Sequence, residues 1–362
     1  MANPEIDVNS GVQANVGMDF QRNCSLYIFL EKYHTIKYQK YFIILEHYDD
    51  IVFGFLNNND EIDKVETYQA KKSSTVWSNS SLYEIIRKIV DNGITLLSDD
   101  LCKSTIYTKN QFFITNNTIK LKYKNSLKNE VNVYINETNE SVHFLDLPNE
   151  LRELLLKGNS KIKFTDIQAL HFSTLNFSYL DFGRNSKTQM ELLIGKFQEV
   201  FGNSILDHKA ARDTFIYELD AIDSKFNQNN IAKLSDFKKR LESTKVNEIL
   251  DVITTHKLAL EFCRQKSEKI CEKLQINLFD SSYFELNFEN SLDKFKDLTQ
   301  SEHRKILDFV TQNSDLLNKH FNDVKCIRAL YEKFHKDISS TLSEIQLKAA
   351  IAAAFYLIKT KQ

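Results

Sequence analysis

Ile44-Leu45-Glu46-His47-Tyr48-Asp49-Asp50-Ile51-Val52-Phe53, followed after a polar loop by Val65-Glu66-Thr67-Tyr68-Gln69-Ala70-Lys71, is the stretch on which the fold turns. Side chains two apart on a strand share a face, so Gln69 and Lys71 point the same way. Glu46 and Asp50 share a parity too, which puts both carboxylates on one face if the strand is unbroken. Two carboxylates, an amide oxygen and an ammonium can hold a divalent cation and orient a water against a phosphodiester. His47 has the opposite parity and reads as a flank.

Working outward, Leu26, Phe29, Leu30 and Tyr33 have helical spacing within Phe20 to His34. Tyr41 to Leu56 reads as one long bent strand or two short ones. Asn57 to Asp63 is the loop of a hairpin leading into the strand Val65 to Lys71. Leu82, Ile85, Ile86, Ile89 and Val90 predict a helix over Leu82 to Leu97. Phe112 to Thr115, Val131 to Tyr134 and Leu170 to Phe177 read as strands, and Leu147 to Lys157 as a helix behind Pro148. Helix, strands, helix, strand is an α/β order that wraps a mixed sheet between helices.

All eight glycines and both prolines lie at or before Gly202, and the 160 residues that follow contain neither. A stretch so free of breakers reads as stacked helices joined at polar turns such as Asp280-Ser281-Ser282 and Asn313-Ser314-Asp315. Two domains are expected, an α/β domain over 10–190 and an all-α domain over 203–362, with the boundary near residues 180–205. The apolar run within Leu347 to Ile358 reads as a core helix or a docking surface.

Composition narrows the function. A hydrophobic fraction of 42% and a charged fraction of 27% describe a globular chain with a sizeable core. The formal net charge of −2 gives no general attraction to nucleic acid, so any such contact requires a local basic patch. Lys120, Lys122 and Lys124 alternate along Thr118 to Lys124 and would line one face of a strand, as phosphate contacts or as a solvated face. Met1 to Gly17 is polar and Ala349 to Ile358 is too short to span a bilayer, so a cytoplasmic protein is expected. Five scattered cysteines with no C-x-x-C argue against a disulfide framework or a zinc knuckle. No Walker A, H-E-x-x-H or G-x-S-x-G occurs, so ATP hydrolysis and serine-hydrolase chemistry lack a motif.

The order Gly17-x-x-Phe20-Gln21, Glu46, Asp49-Asp50, Gln69-x-Lys71 and Phe112-Phe113-Ile114-Thr115-Asn116 resembles the endonuclease domain of bacterial anti-phage CBASS effectors. The same domain occurs in the nuclease subunit of SMC-associated Lamassu systems, and it belongs to the PD-(D/E)xK restriction-endonuclease-like superfamily. The resemblance covers about residues 10–180. It implies that Asp50 and Gln69 are Mg²⁺ ligands, with Mn²⁺ as a substitute, and that Lys71 orients or activates the attacking water. Glu46 and Gln21 would sit close, as a further ligand and as support from the first helix. Gln69 stands where many relatives have a carboxylate, and an amide oxygen binds magnesium more weakly. Another acidic group should therefore contribute, Glu46 or Asp49, with Glu46 favoured by its parity.

What the resemblance implies is a nuclease that cuts double-stranded DNA in defence against phage or plasmids. It would be restrained until an SMC-like ATPase, with a further defence subunit, detects invading DNA. Double-strand breaks imply at least a homodimer when active. Two alternatives stay open: an inert nuclease-like fold acting as an adaptor through its helical half, and a CBASS-like nuclease gated by a cyclic oligonucleotide.

Overall fold

The chain between Lys40 and Leu56 folds as two short strands, β1 (Lys40–Leu45) and β2 (Ile51–Leu56), not as one bent strand. The break comes at Glu46, whose φ of +49° turns the backbone into the left-handed region. Its N–H then bonds the Asp50 carbonyl at 3.1 Å, closing a tight antiparallel hairpin. A computed structural model describes residues 10–205, 207–225, 233–295 and 300–359, with the side chains of 10–15 and 251–264 outside that description; Cys263 is among these.

Before this hairpin runs α1 (Ser10–Ile36), and after it β3 (Ile62–Lys71), β4 (Trp77–Ser78) and α2 (Asn79–Leu97). The Asn57 side chain organises the β2–β3 turn, its Oδ1 accepting the N–H groups of Asn59 (2.9 Å) and Glu61 (3.0 Å). Next come β5 (Lys103–Thr115), β6 (Ile119–Lys124), β7 (Glu130–Ile135), β8 (Ser141–His143), α3 (Asn149–Lys157), α4 (Asp166–His171) and β9 (Leu175–Tyr179). Leu170 to Phe177 is therefore not one strand. Thr165 and Gln168 cap each other reciprocally and start a helix, and extended backbone begins only at Leu175.

The main sheet has seven strands, which include β10 (Leu241–Glu242), in the order β10-β1-β2-β3-β5-β9-β8. β1, β2 and β3 are antiparallel, whereas β5 runs parallel to β3 and β9 parallel to β5. A parallel pair needs a crossover, and α2 supplies it between β3 and β5. On one face α1 packs with α5 (Ser186–Phe201) and α6 (His208–Asp223), the Phe29 ring stacking on Phe215 with centroids 5.4 Å apart. On the other, α2 and α3 cover a core of Phe113, Phe172, Leu175 and Phe177, closed by Ile119, Leu121 and Ile135 from a small sheet of order β4-β6-β7.

Two compact units emerge, the first comprising Met1–Gly202 with Asp207–Asn247, the second Asn203–Leu206 with Glu248–Gln362. The segment 207–247, free of Gly and Pro, was expected to open the all-α half; it lies instead in the first unit. The reason is tertiary: α6 packs on β1, and β10 adds an edge strand to it. The described part of the second unit is helical, comprising the latter part of α7 (Ser243–Lys273), α8 (Ser281–Lys294), α9 (Ser301–Gln312), α10 (Asp315–Lys319), α11 (Asp323–Asp337) and α12 (Glu344–Lys359). Asp280-Ser281 and Asn313-Ser314 fall at its joints, and Leu347 to Leu357 lie in its core. Among the described residues no helix is long and apolar enough to cross a membrane.

Candidate functional site

Hairpin geometry assembles the acidic cluster. Leu45 pairs with Ile51 and Ile51 with Tyr68, and beyond the last pair the Glu46 N–H bonds the Asp50 carbonyl, so both acids stand in the β1–β2 turn while Asp50 also meets Gln69 of β3. Glu46 and Asp50 thus meet through a backbone bond across the turn rather than through parity along an unbroken strand.

Asp50 is the hub. It is only 2% exposed, and its Oδ2 accepts hydrogen bonds from the Gln69 amide, the Ala70 N–H (2.9 Å) and the Lys71 ammonium (3.1 Å). The Lys88 ammonium lies 3.5 Å from Oδ1. A buried carboxylate is tolerable only when paired and hydrogen-bonded, and here the two cations and the backbone donor meet that need. Gln69 is fully buried and its Oε1 has no partner among the described residues. Its amide donates to Asp50 while an oxygen lone pair stays open, and such an orphaned buried acceptor carries a cost.

Glu46 has much of its surface open, yet desolvation of its carboxyl by the fold and then the Asp50 charge raise it above the ordinary range, with Lys88 and Lys71 opposing. Asp49 is buried, and its Oδ1 accepts the Asp50 N–H at 3.1 Å while Oδ2 has no partner among the described residues. Burial, then the neighbouring Asp50 charge, pushes it from 3.8 up to about 7. The unfolded chain ionises this group near pH 4 while the folded protein holds the proton until about pH 7. Stability should therefore fall as pH rises through that window and level off above it. In metal-free protein Asp49→Asn is expected to match the parent near pH 4 and exceed it at pH 8, by at most about 4 kcal/mol. Urea unfolding at the two pH values measures this, and equal midpoints at pH 8 would contradict it.

Gln21 on α1 lines a cleft of about 650 Å³ together with Lys71. Phe20 beside it is buried against Phe182, with centroids 6.0 Å apart. The Phe112–Asn116 segment serves the site indirectly. The Asn116 Oδ1 accepts the Ser73 N–H at 3.1 Å, and the Thr115 hydroxyl accepts from the Trp77 indole at 2.8 Å, anchoring the chain where it leaves Lys71. His47 turns away and sets its Nε2 against the Lys233 backbone. Lys120, Lys122 and Lys124 do alternate along the outer face of β6, in the small sheet; Lys122 is paired with Glu130 at 3.1 Å, and Lys120 sits over the Tyr134 ring.

Lys88 escaped the sequence reading. Helical periodicity sorts α2 into a buried stripe and an exposed one and leaves Lys88 among the exposed residues. Nothing in that pattern tells which exposed side chain overhangs the end of β2.

Among the described residues no three His, Cys, Asp or Glu side chains converge into a ready metal-binding group. The donors present are Asp50, Glu46 and the open amide oxygen of Gln69. Hard oxygen ligands of this number suit Mg²⁺, which keeps several of its waters and uses one or two carboxylates. No protein-family description, no curated protein and no solved structure matches this chain.

Proposed function

We propose that this protein is a metal-dependent endonuclease that hydrolyses double-stranded DNA. The observation that carries the reading is the convergence on Asp50 of Gln69 and Lys71 from the neighbouring strand, with Glu46 across the hairpin. Asp50 and Glu46 would hold Mg²⁺ with the Gln69 oxygen, and Mn²⁺ would substitute. When bound, the ion supplies Lewis acidity, lowering the pKa of water and offsetting phosphate charge. Lys71, on the same face two residues on, holds the attacking water and stabilises charge building on the phosphate. Gln21 supports from the wall of the adjoining cleft.

The resemblance extends the proposal to a cytoplasmic effector of anti-phage or anti-plasmid defence, released by a DNA-sensing SMC-like partner and a further subunit and active as an oligomer. Cleavage of supercoiled plasmid with Mg²⁺ or Mn²⁺, by the parent and by Lys71→Ala over a range of protein concentrations, tests the reading. Lys71→Ala is expected to cut at least about a hundredfold more slowly, the usual scale for one positioned proton-handling or charge-stabilising group. Equal rates would remove Lys71 from the mechanism.

The neutral amide at 69 and the two lysines already neutralising Asp50 favour a second reading, an inert nuclease-like fold acting as an adaptor. Mn²⁺ binding that disappears in Asp50→Asn supports the enzyme; no Mn²⁺ binding by the parent supports the adaptor.

A further inference from the structure

We propose that Lys72 and Arg184 form a second phosphate-binding subsite beside the Asp50 site, one that grips the backbone of the nucleic acid next to the bond being cut. The inference rests on the nuclease reading of that site and adds residues to it.

The cleft shared by Gln21 and Lys71 is also lined by Lys72, Ser73, Ser74 and Arg184. Three cations and two hydroxyl side chains face it, and no carboxylate does among the described residues. In a chain of net charge −2 this is a local basic surface of the kind that a polyanion requires. Lys71 has its ammonium on Asp50, whereas neither Lys72 nor Arg184 forms an ion pair with a carboxylate among the described residues. A lysine and an arginine lining one cleft and outside any ion pair with a described carboxylate match the salt-dependent, sequence-independent recognition of phosphodiesters.

Arg184 is exposed, but the loop that carries it is not loose. Phe182 is buried between Phe20 and Tyr27, with centroids 6.0 and 5.6 Å away. The Gly183 carbonyl accepts from the Gln189 amide at 2.7 Å, and the Gln189 oxygen accepts from Asn23 at 2.9 Å inside the fold. Gln189 and Asn23 are both buried. A side chain at 183 would run into the Thr188 hydroxyl, so the close approach of this loop to α5 requires glycine. Ser73, next to Lys72 in the same lining, is held by Asn116, as described above. Both cations are thus carried on anchored backbone, which lowers the ordering cost of binding.

The test is duplex binding by the full chain, read as fluorescence anisotropy of a labelled 30-base-pair DNA in EDTA across a salt series. Lys72→Ala/Arg184→Ala is expected to bind at least about tenfold more weakly at low salt, with the slope of log K against log salt shallower by about two. Lys72→Arg/Arg184→Lys, which keeps both charges, should restore most of the affinity. A double alanine variant that melts like the parent yet binds with the same affinity and slope overturns the proposal. So does a parent that binds no duplex, or that shows saturable titration with inorganic phosphate alone and no duplex affinity. The nuclease reading fails separately: reduced duplex binding in the double variant together with no Mn²⁺-dependent cutting by the parent leaves the subsite standing and removes the enzyme.

Discussion

Asp50→Asn is expected to lower metal-dependent cleavage by about a thousandfold or more under single-turnover conditions. Among the described residues Asp50 is the one carboxylate that touches Gln69, Lys71 and Lys88 together, so on the proposed reading its loss removes a metal ligand and the reference point for the lysine beside it. Several kcal/mol of transition-state stabilisation depend on a catalytic metal, and each 1.36 kcal/mol is about tenfold in rate. The variant keeps an acceptor for the Ala70 N–H, which bonds Asp50 in the parent, so the fold should survive. Nicking of supercoiled plasmid by excess protein measures the effect. A variant that retained more than about a tenth of the parent rate would remove Asp50 from the metal site and with it the enzyme.

Phe113→Ala is expected to destabilise the first unit by about 3–5 kcal/mol, the range for deleting a buried aromatic ring. Phe113 is fully buried on β5, one strand from Gln69 in register, with Phe177 of β9 on its other side. Its ring meets Trp77 edge to face at 5.2 Å, beneath α2. Truncation opens a cavity where β3, β5 and α2 meet, the framework that sets Lys71 and Lys88 around Asp50. Trp77 is the only tryptophan of the chain, so its fluorescence in urea follows the first unit without a second signal. The midpoint should fall with little change in slope, because the surface exposed on unfolding is nearly the same. Phe113→Leu, closer in volume, should cost less than half as much. An unchanged midpoint for the alanine variant would mean that this core carries little of the unit's stability.

Much of this protein was legible from its residues, because local signals carried it. Periodicity in Leu82 to Val90 and alternation in Thr118 to Lys124 depend only on neighbours in the chain, and both elements formed with the expected faces. The absence of glycine and proline after Gly202 announced helices for the same reason: each helix requires only its own backbone bonds. That Gln69 and Lys71 share a face was also readable, since strand parity fixes which side chains of one strand point the same way; their grouping with Asp50 came only from the resemblance.

Tertiary structure alone decided the rest. Glu46 reaches Asp50 through a hairpin closed by a left-handed residue, and no pattern in a run of apolar and acidic residues locates such a turn. Residues 207–247 join the α/β unit because the edge of β1 needs a partner strand and its face needs a helix, a demand that comes from distant sequence. Lys88 and Arg184 were ordinary surface residues until the crossover helix and the loop before α5 brought them to the sheet's end. Sequence by itself marked most of the local elements and the residue types that could do chemistry, though not the α4–β9 break or the edge strand β10. Only the packed sheet decided which of them meet, because contacts between residues far apart in the chain are set by strand order and register rather than by local propensity.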